Sequence, residues 1–217
     1  VVGIIAILAG LLLPVLARAR QKAMGTNCTN AVHQIGLGIQ MYCHDNGEQL
    51  PEGAVVGQGT SNLYLRSTPA WNGPTGLGLT APYTDPSGRL FYQAGNQAFG
   101  GMSEITHADY RRFLNPPPTG SFNVSSHYYF SQSGHNRPAR IKADPAGAAI
   151  LIGNNGVSST GTMGRYNHGG SGTHVLAADG HVKWIPTRSP EDLTTRFNRA
   201  TPASADRAFA NADDGLR

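Results

Sequence analysis

The chain of 217 residues carries a formal net charge of +4, with 14% charged and 39% apolar residues and only two cysteines. Its Trp, Tyr and Phe are spread along the length, which excludes a disordered polyelectrolyte and leaves room for one domain with a real core beside a long helix. Beyond Lys22 the basic residues are scattered, with small pairs at Arg111-Arg112 and Arg140/Lys142 and no basic helix. That excludes specific nucleic-acid recognition and leaves at most weak, salt-sensitive contact with DNA.

The opening run VVGIIAILAGLLLPVL has no charged or polar side chain, and Arg18, Arg20 and Lys22 follow at once. As a helix it is about 24 Å long at roughly 1.5 Å per residue, slightly short of the roughly 20 residues that cross a bilayer. Pro14 removes one backbone hydrogen bond and bends the axis, while Gly3, Ala6 and Gly10 let another helix approach closely. A helix apolar all round has no solvent face, so it is buried in lipid or among other helices. A signal peptide carries its cations ahead of the apolar core; here they come after it. A plain membrane anchor stays open beside a helix that sits first in a membrane and later in a protein bundle.

Residues 17–45 favour the bundle. Cys28, Val32, Ile35, Ile39 and Tyr42 recur at intervals of three and four, an apolar stripe on one face. Asp45-Asn46-Gly47 then stops the pattern with a polar turn. The sequence predicts one long, kinked helix over residues 1–45, with 1–16 as an apolar membrane or filament-core part and 17–45 as an amphipathic part. Residues 46–217 are then a globular head. Cys28 and Cys43 lie about 22 Å apart along such a helix, far beyond the roughly 7 Å limit for a disulfide, and read as small buried apolar residues. With no CxxC or CxxCH, thiol redox motifs and c-type haem attachment are not indicated.

The stretch VVGIIAILAGLLLPVLARARQKA, followed by NAVHQIGLGIQMYCHDNGEQLP, resembles the start of type IV pilins and type II secretion pseudopilins. More narrowly it resembles the prepilin-type proteins with a C-terminal His-x9-Asp-Gly signature. The resemblance implies a precursor inserted in the inner membrane, cleaved and methylated by a prepilin peptidase. Inner-membrane machinery then assembles it into a helical homo-oligomer whose core is the bundled N-terminal helices. The family's mature N-terminal aromatic and nearby glutamate are absent. Val1 corresponds to a position several residues inside the mature helix, so the expectation is that the true start lies upstream.

Through residues 46–120 Gly and Pro recur so often that helix is improbable. GPTGLGLTAPYTDPSGRLFY resembles the family's loop region, with Phe91-Tyr92-Gln93 where a Cys usually stands. Residues 103–114 suit a short helix capped by Ser103 and ended by Pro116–Pro118. Residues 121–152 read as strands, from the aromatics Phe122, Tyr128, Tyr129 and Phe130 and the apolar run around Ile150 and Ile152.

In RYNHGGSGTHVLAADGHVKWIP, Asp179-Gly180 between apolar runs is a strong hairpin signal. A two-residue turn would pair Ala177 with Val182 and Val175 with Trp184. It would bury Val175, Ala177, Val182 and Trp184 on one face, with His174, Leu176, His181 and Lys183 on the other. His168, Asp179 and Gly180 form the family signature with one extra residue, assigned to the Gly169–Gly172 loop. His174 and His181 would lie about 10–13 Å apart, too far to share a zinc ion, so the histidines read as surface or hydrogen-bonded groups. Asp213-Asp214-Gly215 is an acidic loop candidate for calcium but lacks the spaced acids of a calcium loop; no metal or cofactor residue is assigned. Nor is any catalytic residue, since G-x-S-x-G, P-loop and H-E-x-x-H patterns are missing.

Ser189-Pro190-Glu191-Asp192 is a helix start. A second short helix near 203–211 would let this tail cover the head or contact a neighbouring subunit. The fold class expected is α+β and pilin-like, a long kinked N-terminal helix on an antiparallel sheet head with Gly/Pro-rich loops. The expected function is a structural subunit of an extracellular type IV pilus-like filament on the bacterial surface. Assembly would run through Ile4, Ile5, Ile7, Leu8, Leu11, Leu12, Pro14 and Leu16. A type II secretion pseudopilin and a monomeric membrane-anchored surface binding protein are the alternatives.

Overall fold

The apolar and then amphipathic pattern produces one helix, α1, over Val2–Asp45, continuous through Pro14. The computed structural model describes residues 2–51, 62–68, 71–74, 76–87, 89–91, 120–123, 128–129, 149–152, 171–189, 192, 195–197 and 202–216. The expected helix at 103–114 and the Ser/Thr-rich and Gly-rich segments around His168 lie outside these residues. At its end α1 is capped by two left-handed residues, Gly47 (φ 64°) and Glu48 (φ 67°). The Glu48 N–H donates to the Cys43 carbonyl at 2.6 Å and the Asn46 N–H to that of Tyr42 at 3.0 Å. These bonds satisfy carbonyls that a helix end otherwise leaves open.

The two halves of α1 differ in surroundings. Residues 2–23 are exposed throughout, and burial begins at Cys28. From there Cys28, Val32, Ile35 and Ile39 are buried as the stripe predicted. Cys43 takes the last buried place, while Tyr42 is half-buried and meets Tyr83 edge-on at 6.1 Å. The Tyr83 hydroxyl donates to Asp45 at 3.0 Å, tying the end of the helix to the head.

Two antiparallel sheets stand among the described residues. The first joins β1 (Asn62–Thr68), β2 (Trp71–Pro74) and β3 (Gly120–Asn123) in the order β2-β1-β3. The second joins β4 (Tyr128–Tyr129), β5 (Ala149–Ile152), β6 (Gly172–Ala177) and β7 (Val182–Pro186) in chain order. A 3₁₀ helix over Gly76–Tyr83, where the sequence suggested only loop, packs against both α1 and β1. Its Leu77, Thr80 and Ala81 are buried, and the Thr80 hydroxyl donates to the Leu77 carbonyl at 2.7 Å. Phe91 is wholly buried in the same core.

Every residue of β6 is buried, because a helix covers each face of this strand. On one side His174 and Leu176 meet α1, where a side chain at Gly36 would run into Leu176 Cδ1 at 2.8 Å. On the other lies α2 (Pro202–Leu216), whose Gly215 packs on Ile185 and whose Leu216 carbonyl accepts from Lys183 Nζ at 3.1 Å. α1, the second sheet and α2 therefore stack as helix, sheet, helix. Strands buried on both faces lose the apolar–polar alternation of a half-exposed sheet.

Three expectations are corrected. The hairpin loop has three residues, not two. Leu176 pairs with Val182, Val175 with Lys183 and His174 with Trp184. Ala177 N–H donates to His181 O at 2.9 Å, and Gly180 N–H to Ala177 O at 3.0 Å. Gly180 has φ 92°, while Asp179 is not among the positive-φ residues. A two-residue type I′ turn needs positive φ at both central positions; a type I turn followed by one left-handed residue does not. The one-residue change moves every β7 side chain to the opposite face relative to β6. Val175 and Ala177 thus lie on the α2 side, while Val182 and Trp184 lie on the α1 side with His174 and Leu176. Trp184 is 37% exposed on the edge strand instead of buried.

The second correction is Asp213-Asp214-Gly215, which lies inside α2 and is not a loop; Gly215 stays helical where its missing side chain lets the helix approach Ile185. The third is the length of the last helix, which runs beyond the expected 203–211. Ser189 does act as the expected cap, accepting from the Asp192 N–H at 3.2 Å.

Candidate assembly surface

Among the described residues, the apolar front of α1 stands exposed on every face. Ile4, Ile5, Ile7, Leu8, Leu11, Leu12 and Leu16 are between 54% (Leu8) and 68% (Ile7) exposed, and Pro14 is exposed beside them. The helix is long and apolar enough to cross a membrane, judged by length and composition. Covering one Leu or Ile fully is worth about 1.5–3 kcal/mol, so leaving the whole run in water is strongly unfavourable. Arg18, Arg20 and Lys22 are exposed at the inner end of the run.

What the arm can do depends on how firmly its inner half is held. Gly36 admits Leu176 of β6, and Gly38 admits Thr80 of the 3₁₀ helix and Thr84 just beyond it. A helix that lies this close to its neighbours makes many van der Waals contacts, and each is lost if it shifts. Among these contacts is the hairpin turn. The Asp179-Gly180 turn docks against Gln40 of α1, and a side chain at Gly180 would meet Gln40 Nε2 at 2.7 Å. Gly180 is thus required twice, by its φ and by the close approach. Asp179 Oδ1 accepts from the His181 N–H at 3.1 Å and lies 2.7 Å from His181 Nδ1. The His181 backbone hydrogen bond, chiefly, holds the Asp179 carboxyl below its ordinary pKa. Asp179 and Gly180 shape the turn that seats the sheet on α1; His168 lies outside the described residues.

His174, expected on the non-core face of the hairpin, is buried in a polar cluster at the same joint. His174 Nδ1 lies 3.1 Å from Cys28 Sγ, and its Nε2 lies 2.8 Å from Thr29 Oγ1. Cys28 is 3% and His174 5% exposed. The Trp184 ring sits 4.7 Å from the imidazole, tilted by 60°. The one signal for this cluster in the sequence is Thr29, a polar residue adjoining Cys28 at the edge of the buried stripe. The two cysteines are unbridged, as their separation required. Among the described residues no group of three or more His, Cys, Asp or Glu is placed to hold a metal ion.

Comparison with known proteins returns no matching family model, curated protein or solved structure.

Proposed function

We propose that this chain is a structural subunit of an extracellular type IV pilus-like filament, assembled through residues 4–16 of α1. The uncovered apolar run carries the reading: nine large aliphatic side chains between Ile4 and Leu16 stay exposed on a helix whose continuation is packed into the head. The pilin-like pattern of the first 45 residues and the α+β architecture support it. The run would reside in the inner membrane of the precursor and then in the filament core. Both environments meet the same need, since each removes the aliphatic side chains from water.

The test uses the full chain purified in detergent. On dialysis of the detergent, electron microscopy should show long, uniform filaments, and Leu12→Asp should show none. Short rods would move the reading to a secretion pseudopilus. Monomers dispersed in added liposomes, with no filaments at any concentration, would overturn it in favour of a membrane-anchored binding protein.

A further inference from the structure

The buried cluster at the root of the arm has the chemistry of an activated thiol. Thr29 spends its hydroxyl proton on the Gly25 carbonyl at 3.1 Å. Its oxygen is then left to accept from His174 Nε2–H at 2.8 Å. In the Nε2–H tautomer, which a Thr29 hydroxyl donating to Gly25 favours, the Nδ1 lone pair faces Cys28 Sγ at 3.1 Å. Nucleophile, base and orienting group stand in hydrogen-bonded sequence, the arrangement that activates a thiol. We propose that Cys28 is an oxidation site, at which His174 takes the thiol proton and a small hydroperoxide converts Cys28 to its sulfenic acid. This inference does not rest on the filament reading.

The step balances. The thiolate sulfur attacks one peroxide oxygen, an S–O bond forms and the O–O bond breaks. Sulfur gives up two electrons to the peroxide, and the proton held on Nδ1 leaves with the departing hydroxide as water. Access selects for size. Trp184, 37% exposed on the edge strand, packs its ring 4.7 Å from the imidazole and over Gly172, where a side chain would meet Cε2 at 2.7 Å. Hydrogen peroxide passes such a cover far more readily than a bulky disulfide reagent. Cys43 supplies the contrast within the same helix. It is equally buried, and burial, with the Glu48 charge second, pushes its thiol up to about 11. Since the thiolate is the reacting form, Cys43 is the inert reference.

The experiment exposes the full chain in detergent to hydrogen peroxide for timed intervals and then unfolds it in iodoacetamide. Peptide mass spectrometry reads the free thiol left at each cysteine. In the folded chain Cys28 should be lost about tenfold faster than Cys43, and faster than Cys28 in urea-unfolded chain. His174→Gln should bring Cys28 down to the Cys43 rate, and Thr29→Val should slow it several-fold. Trp184→Ala should speed it. A Cys28 rate that is lower folded than unfolded overturns the proposal without any variant, and an unchanged rate in a folded His174→Gln overturns the role of the imidazole.

Discussion

The front and back halves of α1 are one continuous helix, yet they answer to different rules. In the back half the apolar residues occupy a single stripe, and the stripe is buried: Val32, Ile35 and Ile39 have no exposed surface. In the front half apolar residues occupy every face, and all are exposed. The back half is specified by its own head, through Gly36, Gly38 and the hairpin turn. The front half has no face that could be specified by a single partner. Amphipathicity in one stretch and its absence in the next thus separate contacts made within a subunit from those left to a surrounding medium.

The largest effect expected from this contrast comes from charge in the front half. Leu12→Asp places a carboxylate where lipid or neighbouring helices would lie. At a membrane helix centre an Asp costs about 2.5–3.5 kcal/mol on insertion scales. Filament formation should be abolished, while the near-UV circular dichroism of the head is unchanged because Leu12 touches no part of it. A loss of the head signal would show that the arm packs on its own subunit and would end the contrast.

Next comes packing in the back half. Ile39→Ala removes a fully buried side chain and should destabilise the head by about 2–5 kcal/mol. Leu37→Ala, two residues away but half-exposed, should cost less than about 1 kcal/mol in the same urea titration of the solubilised chain. Equal costs at the two positions would mean that the buried stripe is misplaced.

How much of this was legible in the sequence follows from the same contrast. The helix, its stripe and its stop could be read because one element with a 3.6-residue period reports its own face. The hairpin could be located from Asp179-Gly180, but its register could not, because loops of two and three residues share that dipeptide. The error then travelled to Trp184: with the residue 37% exposed, Trp184→Ala would cost less than a buried Trp. The burial of His174 was hidden for another reason. Alternation along β6 predicts one wet face, but the face that carries His174 is covered by α1, whose Cys28 and Thr29 lie against the imidazole. The 3₁₀ helix at Gly76–Tyr83 was masked by its glycines, of which Gly76 and Gly78 are buried where the chain packs under α1.

Glycine substitutions sharpen the comparison at a smaller scale. Gly47 and Gly180 both have positive φ, but nothing lies within 4 Å of a side chain placed at Gly47, whereas Gln40 lies against Gly180. A left-handed conformation costs a non-glycine residue about 1–2 kcal/mol. Gly47→Ala should lose about that much. Gly180→Ala should lose the same backbone term, plus a few tenths of a kcal/mol for displacing the Gln40 amide from the joint. If Gly180→Ala proves the milder change, the turn is not seated on α1.

The smallest effect is the pH dependence of that turn. The folded-state pKa of Asp179 lies below the ordinary aspartate value of 3.8, chiefly because the His181 N–H donates to the carboxylate. A depressed carboxyl pKa means that the unfolded chain binds the proton more readily than the folded one. The stabilisation is therefore complete above the unfolded value and is lost as the pH falls through 3.8 towards the lower folded value. Both side chains of the Asp179–His181 pair are close to half-exposed, so solvent screening limits the gain to about 0.5–1 kcal/mol. Asp179→Asn keeps an oxygen that can accept from the same N–H but removes the charge. Wild type should exceed this variant in urea midpoint at pH 5, and the gap should narrow as the pH falls below 3.8. A difference that persists unchanged at pH 2.5 would mean that the carboxylate acts through shape alone, and that the joint between sheet and helix carries no charge term at this position.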